Sequence, residues 1–329
     1  MFWQTLRDMC LSGLCSLRRV RYESGRVEAS SAEKPLEETN PIWGGAFTRF
    51  QDVDGNTFML VSFDVMSRAI EAQRRAAAEK LEAERRAAHE LEIARQVQAR
   101  LFPQRLPHAA TLEYAGLCIQ ARKVGGDYYD FLSLGRDRLG LVIGDIAGKG
   151  MPAALLMANL QANLRSHCAT ALDEPARFLC SVNQLFREST PDNAYATLLY
   201  VEYDDVTQRV RYANCGHLHG LLLRGDGGLD RLQTTASVLG LFDNWECWIG
   251  EQALRPGDLL VLYTDGVTES FNAAGDEFGE ERLLDGLRRR RDLPVGPLID
   301  AIVDEIRRFN LGEQYDDITM IVARCRTGA

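Results

Sequence analysis

The sequence is poor in the features that would place it in a special class. No run of about 18 uncharged apolar residues occurs anywhere, so no membrane-spanning helix is expected. Cysteine occurs eight times but never as C-x-x-C and at no regular spacing, which argues against a disulfide framework and for reduced thiols, as in the cytoplasm. The opening "MFWQTLRDMCLSGLC" has an apolar patch, but Arg7 and Asp8 interrupt it and no small-residue cleavage site follows, so it does not read as a secretory signal. Positive charge is short too. With 38 basic against 47 acidic residues the net charge is −9, which disfavours nucleic acid as a partner. An anionic substrate would need a local cation or a metal.

What is present divides the 329 residues into segments. Residues 1–41 end in the polar "VEASSAEKPLEETNP" and read as a linker or poorly ordered arm. Over 42–64 two β-rich runs flank Asp54-Gly55, a dipeptide suited to a tight hairpin turn. This text resembles the closing strands of a glyoxalase-like module but is too short to build one, so it is read as a hairpin remnant without activity. Residues 65–102, rich in Ala, Glu, Arg and Leu and free of Gly and Pro, predict one long helix stopped by Pro103. Ile70, Ala77, Leu81, Ala88, Leu91 and Phe102 fall on heptad seams that Arg74, Glu84, Arg95 and Gln98 interrupt. Both a parallel homodimeric coiled coil and a helix docked on the following domain remain open.

From 104 to 326 the texture changes. Strand-like runs stand at "LGLVIGD", "ATLLYVEYD", "RVRYANCGH", "HGLLLR", "DLLVLYTDG" and "DDITMIVAR", with amphipathic helices at 152–167, 174–188, 279–290 and 295–309. Strands joined by short turns, with helices grouped in pairs, predict an α+β domain of antiparallel sheets covered by helices.

Carboxylates stand at the tips of these strands. "KVGGDYYDF" places Asp127 after two glycines, "LVIGDIAGKG" places Asp145 at the end of an apolar run, "LLVLYTDGVTES" places Asp265 likewise, and "YDDITMIVA" opens the last strand with Asp316 and Asp317. Each alone could cap a helix or close a turn. Converging on one end of a sheet structure, they would repel one another and need a compensating charge. With no His or Cys cluster beside them, the ligands offered are hard oxygens, which suit Mg²⁺ or Mn²⁺.

In order and spacing "VGGDYYDF", "IGDIAGKGMPAALLMA", "YATLLYVEYD", "YANCGH", "LRPGDLLVLYTDGVTES", "FGEERL" and "DDITMIVAR" resemble the bacterial PPM-type protein phosphatases of the sporulation and stress-regulator class, relatives of the PP2C enzymes. The resemblance implies two antiparallel β-sheets in a sandwich flanked by helix pairs, with two Mn²⁺ or Mg²⁺ ions at one edge. It implies that Asp145 bridges both ions, that the carbonyl of Ile146 binds the second, and that Asp265 and Asp316 complete the first ion's shell. Asp127 would act on the nucleophilic water or bind a third ion, with Asp317 behind it. Arg122, five residues before Asp127, stands where PP2C relatives hold a phosphate-binding arginine.

The match departs at two places. Ala147 stands where PP2C relatives carry a histidine, so the group protonating the leaving alkoxide is unassigned, and Lys149 stands where bacterial members often have histidine. His217 in "NCGH" matches a family position and His219 would share its face on a strand, but with no third nitrogen or sulfur ligand nearby structural places are favoured over a metal pair. The implied activity is hydrolysis of phosphoserine or phosphothreonine, on a phosphorylated anti-sigma-factor antagonist as protein substrate. The competing expectations are a catalytically silent phosphoprotein-binding regulator of the same fold and a nucleotide phosphodiesterase.

Overall fold

The computed structural model describes residues 20–23, 26–29, 36–39, 46–51, 57–61, 63–135, 137–168, 174–310 and 314–327. They fall into two units, 1–88 and 89–329. In the first, β1 (Val20–Glu23) pairs with β2 (Arg26–Ala29), and β3 (Leu36–Thr39), β4 (Ala46–Gln51) and β5 (Thr57–Val61) form a three-stranded antiparallel sheet. The Asp54-Gly55 turn and most of residues 1–41 lie outside the described residues.

Helix α1 (Phe63–Ala99) follows. Its side chains are exposed from Ile70 to Glu90, and i,i+4 pairs such as Lys80–Glu84 (3.9 Å) and Glu82–Arg86 (2.5 Å) add a few tenths of a kcal/mol each. It ends three residues short of the expected 102. Pro103 disfavours helical dihedrals before it, and the Gln104 carboxamide donates to the carbonyls of Ala99 (3.0 Å) and Phe102 (2.9 Å), satisfying the frayed end.

The second unit is built on two five-stranded antiparallel sheets. One has the order β13-β10-β9-β8-β7, from β7 (Tyr128–Gly135), β8 (Arg138–Ile146), β9 (Ala196–Asp204), β10 (Arg209–Cys215) and β13 (Gly250–Ala253). The other has the order β12-β11-β14-β15-β6, from β6 (Leu112–Ile119), β11 (Gly220–Leu223), β12 (Leu229–Leu232), β14 (Leu259–Tyr263) and β15 (Ile318–Cys325).

Strand β8 shows why the apolar runs are unbroken. Its Leu139, Leu141 and Ile143 enter the core between the sheets with Leu199, Leu260 and Ile321, while Val142 and Ile146 face the other way. There they meet α2 (Met151–His167) and α3 (Pro175–Glu188) through Met157, Leu160, Leu179 and Phe186. On the far sheet Val261, Tyr263 and Val322 pack against α5 (Gly279–Arg289) and α6 (Val295–Phe309). Strands covered on both faces lose the alternation of a half-exposed strand. The result is the two-sheet, helix-flanked α+β sandwich that the sequence implied.

Candidate metal and phosphate site

Register brings the strand-tip acids together. Tyr128, which follows Asp127, pairs with Gly144, which precedes Asp145; Tyr263, which precedes Thr264 and Asp265, pairs with Met320, shortly after Asp316 and Asp317. Each sheet therefore delivers the end of one strand and the start of its neighbour to one edge of the sandwich. Asp265 opens the short helix α4 (Asp265–Thr268).

Asp127 is fully enclosed, and its Oδ2 accepts hydrogen bonds from the hydroxyls of Thr264 (2.8 Å) and Thr319. Burial and the charge of Asp145 push its carboxyl well above the ordinary range. Asp145 is pushed up to about 7 by burial and by the charges of Asp265, Asp316 and Asp317, with a hydrogen bond from Asp127 acting the other way. Burial, then Asp316, raises Asp265. Burial also raises Asp317, which accepts from the backbone N–H of Ala121 at 2.8 Å. Asp316, at the rim, takes Lys149 Nζ at 2.7 Å, and Nζ also donates to the Tyr315 carbonyl at 3.1 Å.

Glycines shape the floor. A Cβ on Gly125 would lie 1.7 Å from Asp317 Oδ2, and one on Gly126 would lie 2.9 Å from the Ile146 carbonyl oxygen and 3.4 Å from Asp145 Oδ1. Backbone therefore passes directly over the acids, and the Ile146 carbonyl opens onto the same space. Gly144 and Gly148 look from sequence like the residues that permit close approach, but the structure gives them other work. A Cβ on Gly144 would meet the Thr197 carbonyl of the neighbouring strand at 2.7 Å, and Gly148 is needed for its φ of +115°.

This donor set fits divalent cations of the Mg²⁺ or Mn²⁺ type. It offers hard carboxylate and carbonyl oxygens, buried acids that raise one another for want of positive charge, and a glycine-lined cradle that a side chain would fill. Among the described residues no three His, Cys, Asp or Glu side chains stand as a group that could hold an ion; Asp316 is paired with Lys149 and Asp127 with the threonines. Arg122, exposed and without an ion-pair partner among the described residues, lines the same cleft as Asp145, Lys149 and Tyr315.

His217 sits behind the edge, not in it. Its Nδ1 meets the Thr197 hydroxyl (2.8 Å) and its Nε2 the Tyr263 carbonyl (3.1 Å), and burial lowers its pKa to about 4. A neutral ring bridging β9 and β14 is its arrangement. Sequence reasoning passed over Thr264 and Thr319, although each neighbours a motif acid in "YTDG" and "DDIT".

The fold and this acidic edge define a PP2C-like sandwich, and comparison with known proteins gives the family. Residues 135–326 match the model of Stage II sporulation protein E (SpoIIE), and the chain belongs to that family. It is 27% identical over 246 residues to the phosphoserine phosphatase RsbU of Bacillus subtilis, covering 71% of this chain and 70% of RsbU. Protein IcfG of Synechocystis is 30% identical over 259 residues, covering 70% of this chain; the chain spans only 41% of the length of IcfG. Among solved structures, the SiaA PP2C domain of Pseudomonas aeruginosa superposes with a TM-score of 0.66 at 22% identity, covering 74% of this chain and 98% of that one. The RsbU and RsbW domains of a Mycobacterium tuberculosis protein give 0.60 at 25%, covering 68% and 62%.

Proposed function

We propose that the chain is a metal-dependent protein serine/threonine phosphatase. The observation that carries this reading is the meeting of Asp145, Asp265 and Asp316, from the ends of strands in both sheets, as mutually repelling buried or half-buried acids. Family membership supports it. Asp145, Asp265, Asp316 and the Ile146 carbonyl would hold two Mn²⁺ or Mg²⁺ ions, with Asp127 and Asp317 available to a third. When bound, such ions supply a water of lowered pKa and brace the phosphoryl oxygens.

The chain's own groups do the rest. Thr264 and Thr319 fix the Asp127 carboxyl beside Asp145, where, with cations bound, it would take up a proton at the attacking side. Arg122 presents a guanidinium fork to the phosphoryl oxygens, and Lys149 adds a flexible second cation. The substrate we propose is a phosphorylated anti-sigma-factor antagonist in the cytoplasm, in keeping with the regulator names among the relatives. The exposed seam residues Ile70 and Leu81 support a homodimer through the 65–102 helix, which would carry a signal to the site.

A phosphoserine antagonist protein and a nucleotide phosphodiester, offered in parallel with Mn²⁺, test the reading. Phosphate release from the protein alone is expected; turnover of the diester alone would replace the phosphatase by the phosphodiesterase. The pairing of Asp316 with Lys149 favours a second reading, a silent phosphoprotein-binding regulator, for which tight binding of the phosphoprotein without turnover is the expected result.

A further inference from the structure

Exposed aromatic rings scattered over a surface are ordinary, but two of them stand where the acidic edge opens. Tyr315, 69% exposed, immediately precedes Asp316 and lines the same cleft as Arg122, Asp145 and Lys149. Among the described residues lining that cleft it is the one large apolar side chain left uncovered, since Val124 is buried. Tyr195, 38% exposed, immediately precedes β9, and its carbonyl accepts the N–H of Ala147 at 2.9 Å, next to the Ile146 carbonyl that opens onto the site. Strand β9 belongs to one sheet and β15, which begins just after Tyr315, to the other. Each sheet therefore brings one tyrosine to the edge where it delivers its acids.

The main chain around Tyr315 is pinned although its ring is not. The Gln314 carboxamide donates to the carbonyls of Ile119 (2.8 Å) and Asp316 (2.7 Å), Lys149 Nζ donates to the Tyr315 carbonyl at 3.1 Å, and the Asp317 N–H donates to Asp316 Oδ1 at 2.9 Å. A ring on such a backbone offers a large contact area at the cost of ordering only two torsions, which is why tyrosine recurs as an anchor in recognition surfaces. The cleft's charged groups address a phosphoryl group and offer no apolar area to whatever carries it. A small phosphomonoester has nothing that reaches the rim. A polypeptide extends from both sides of its phosphoserine.

We propose that Tyr315, with Tyr195 from the other sheet, is a specificity-determining residue: the rings pack on the chain flanking the phosphoserine, so that a phosphorylated protein is taken in preference to a small phosphomonoester. The catalytic consequence rests on the phosphatase reading above; the contact itself does not.

The test compares a phosphoserine anti-sigma-factor antagonist with free O-phosphoserine, which carries the same ester without the flanking chain, using the full chain with Mn²⁺. Tyr315→Ala and Tyr195→Ala remove the rings and Tyr315→Phe keeps the ring without its hydroxyl. Val206→Ala, at a residue 76% exposed in the β9–β10 turn, is the control. Tyr315→Ala is expected to lower kcat/KM for the phosphoprotein relative to O-phosphoserine at least tenfold, chiefly through KM, and Tyr195→Ala at least threefold. In Tyr315→Phe and Val206→Ala that ratio stays within twofold. An unchanged ratio in Tyr315→Ala overturns the proposal, as does a loss in Tyr315→Phe as large as in Tyr315→Ala; an unchanged ratio in Tyr195→Ala overturns the part given to that ring. The dissociation constant of the phosphoprotein is measured alongside by calorimetry. A wild type that binds the phosphoprotein and turns over neither substrate counts against the phosphatase reading and leaves affinity to decide: binding at least tenfold weaker in Tyr315→Ala upholds the contact, and equal binding overturns it. A wild type that neither binds nor dephosphorylates the protein overturns both.

Discussion

At the scale of single residues the account turns on charge. Asp145, held near 7 against an ordinary 3.8, is a raised group: what it contributes to stability is present below its unfolded pKa and lost as pH rises through about 7. In chelator the protein is therefore expected to melt at a lower temperature at pH 8 than at pH 6. Asp145→Asn should raise the chelated protein's melting temperature at pH 8, by a stabilisation of at most about 4 kcal/mol, and abolish the rise that Mn²⁺ gives the wild type. A chelated wild type that loses stability steadily from pH 8 to 6 would contradict this. Lys149 competes for Asp316, and an exposed pair is worth roughly 0.2–1 kcal/mol. Lys149→Gln should accordingly tighten Mn²⁺ by about two- to fivefold in calorimetry. The strand-tip acids were legible in the sequence because each stands beside glycines or at the end or start of an apolar run. The threonines holding Asp127 and the Gln98 carboxamide, which donates to the Gly125 carbonyl, were not, since a hydroxyl or carboxamide reads as polar filling until its partner, over a hundred residues away for Thr264 and 27 for Gln98, is known.

At the scale of elements, burial decides what could be read. Helices α3, α5 and α6 carry one apolar stripe each, and their sequence boundaries lie within a residue or so of the observed ones. Strands β8, β9, β14 and β15 announce themselves as unbroken apolar runs. Strand β7 does not, because Asp130 interrupts it, and β13, "GEQA" at a sheet edge, has no apolar pattern at all and exists through its pairing with β10. Asp130 is fully buried, and Arg165 of α2 reaches it with Nε at 2.6 Å and Nη2 at 2.8 Å while the Tyr128 hydroxyl donates at 2.7 Å. This fork ties α2 to β7, beside Asp127. Arg165→Met would leave a buried carboxylate with one hydroxyl and one N–H, and is expected to cost about 3 kcal/mol in denaturant unfolding. A loss below about 1 kcal/mol would show that the half-exposed guanidinium adds little to the docking of α2.

At the scale of the whole molecule, an acidic chain with net charge −9 presents an acidic edge, and the cations available there, Arg122 and Lys149, stand at its mouth. On the proposed reading, an approaching phosphoprotein would be repelled by the bulk of the surface and attracted only where divalent ions and these two side chains concentrate positive charge. Among the described residues no helix is long and apolar enough to cross a membrane. Fold class was readable because the motifs come in order across two thirds of the sequence; the second unit's upstream neighbour and the 65–102 helix carry no comparable text, and the helix's proposed part in dimerisation rests on the exposed Ile70 and Leu81. Sedimentation of the full chain is expected to show a dimer that Leu81→Glu dissociates; a monomeric wild type at tens of micromolar would remove the helix seam from the account. The most direct test of the central claim is phosphate release from a phosphoserine anti-sigma-factor antagonist by wild type and Asp265→Asn, each with Mn²⁺ and with chelator. The account predicts turnover by the wild type with Mn²⁺ and at least a hundredfold loss in both the chelated and the Asp265→Asn protein. Equal release by wild type and Asp265→Asn, or no release by a wild type that binds Mn²⁺, would contradict it.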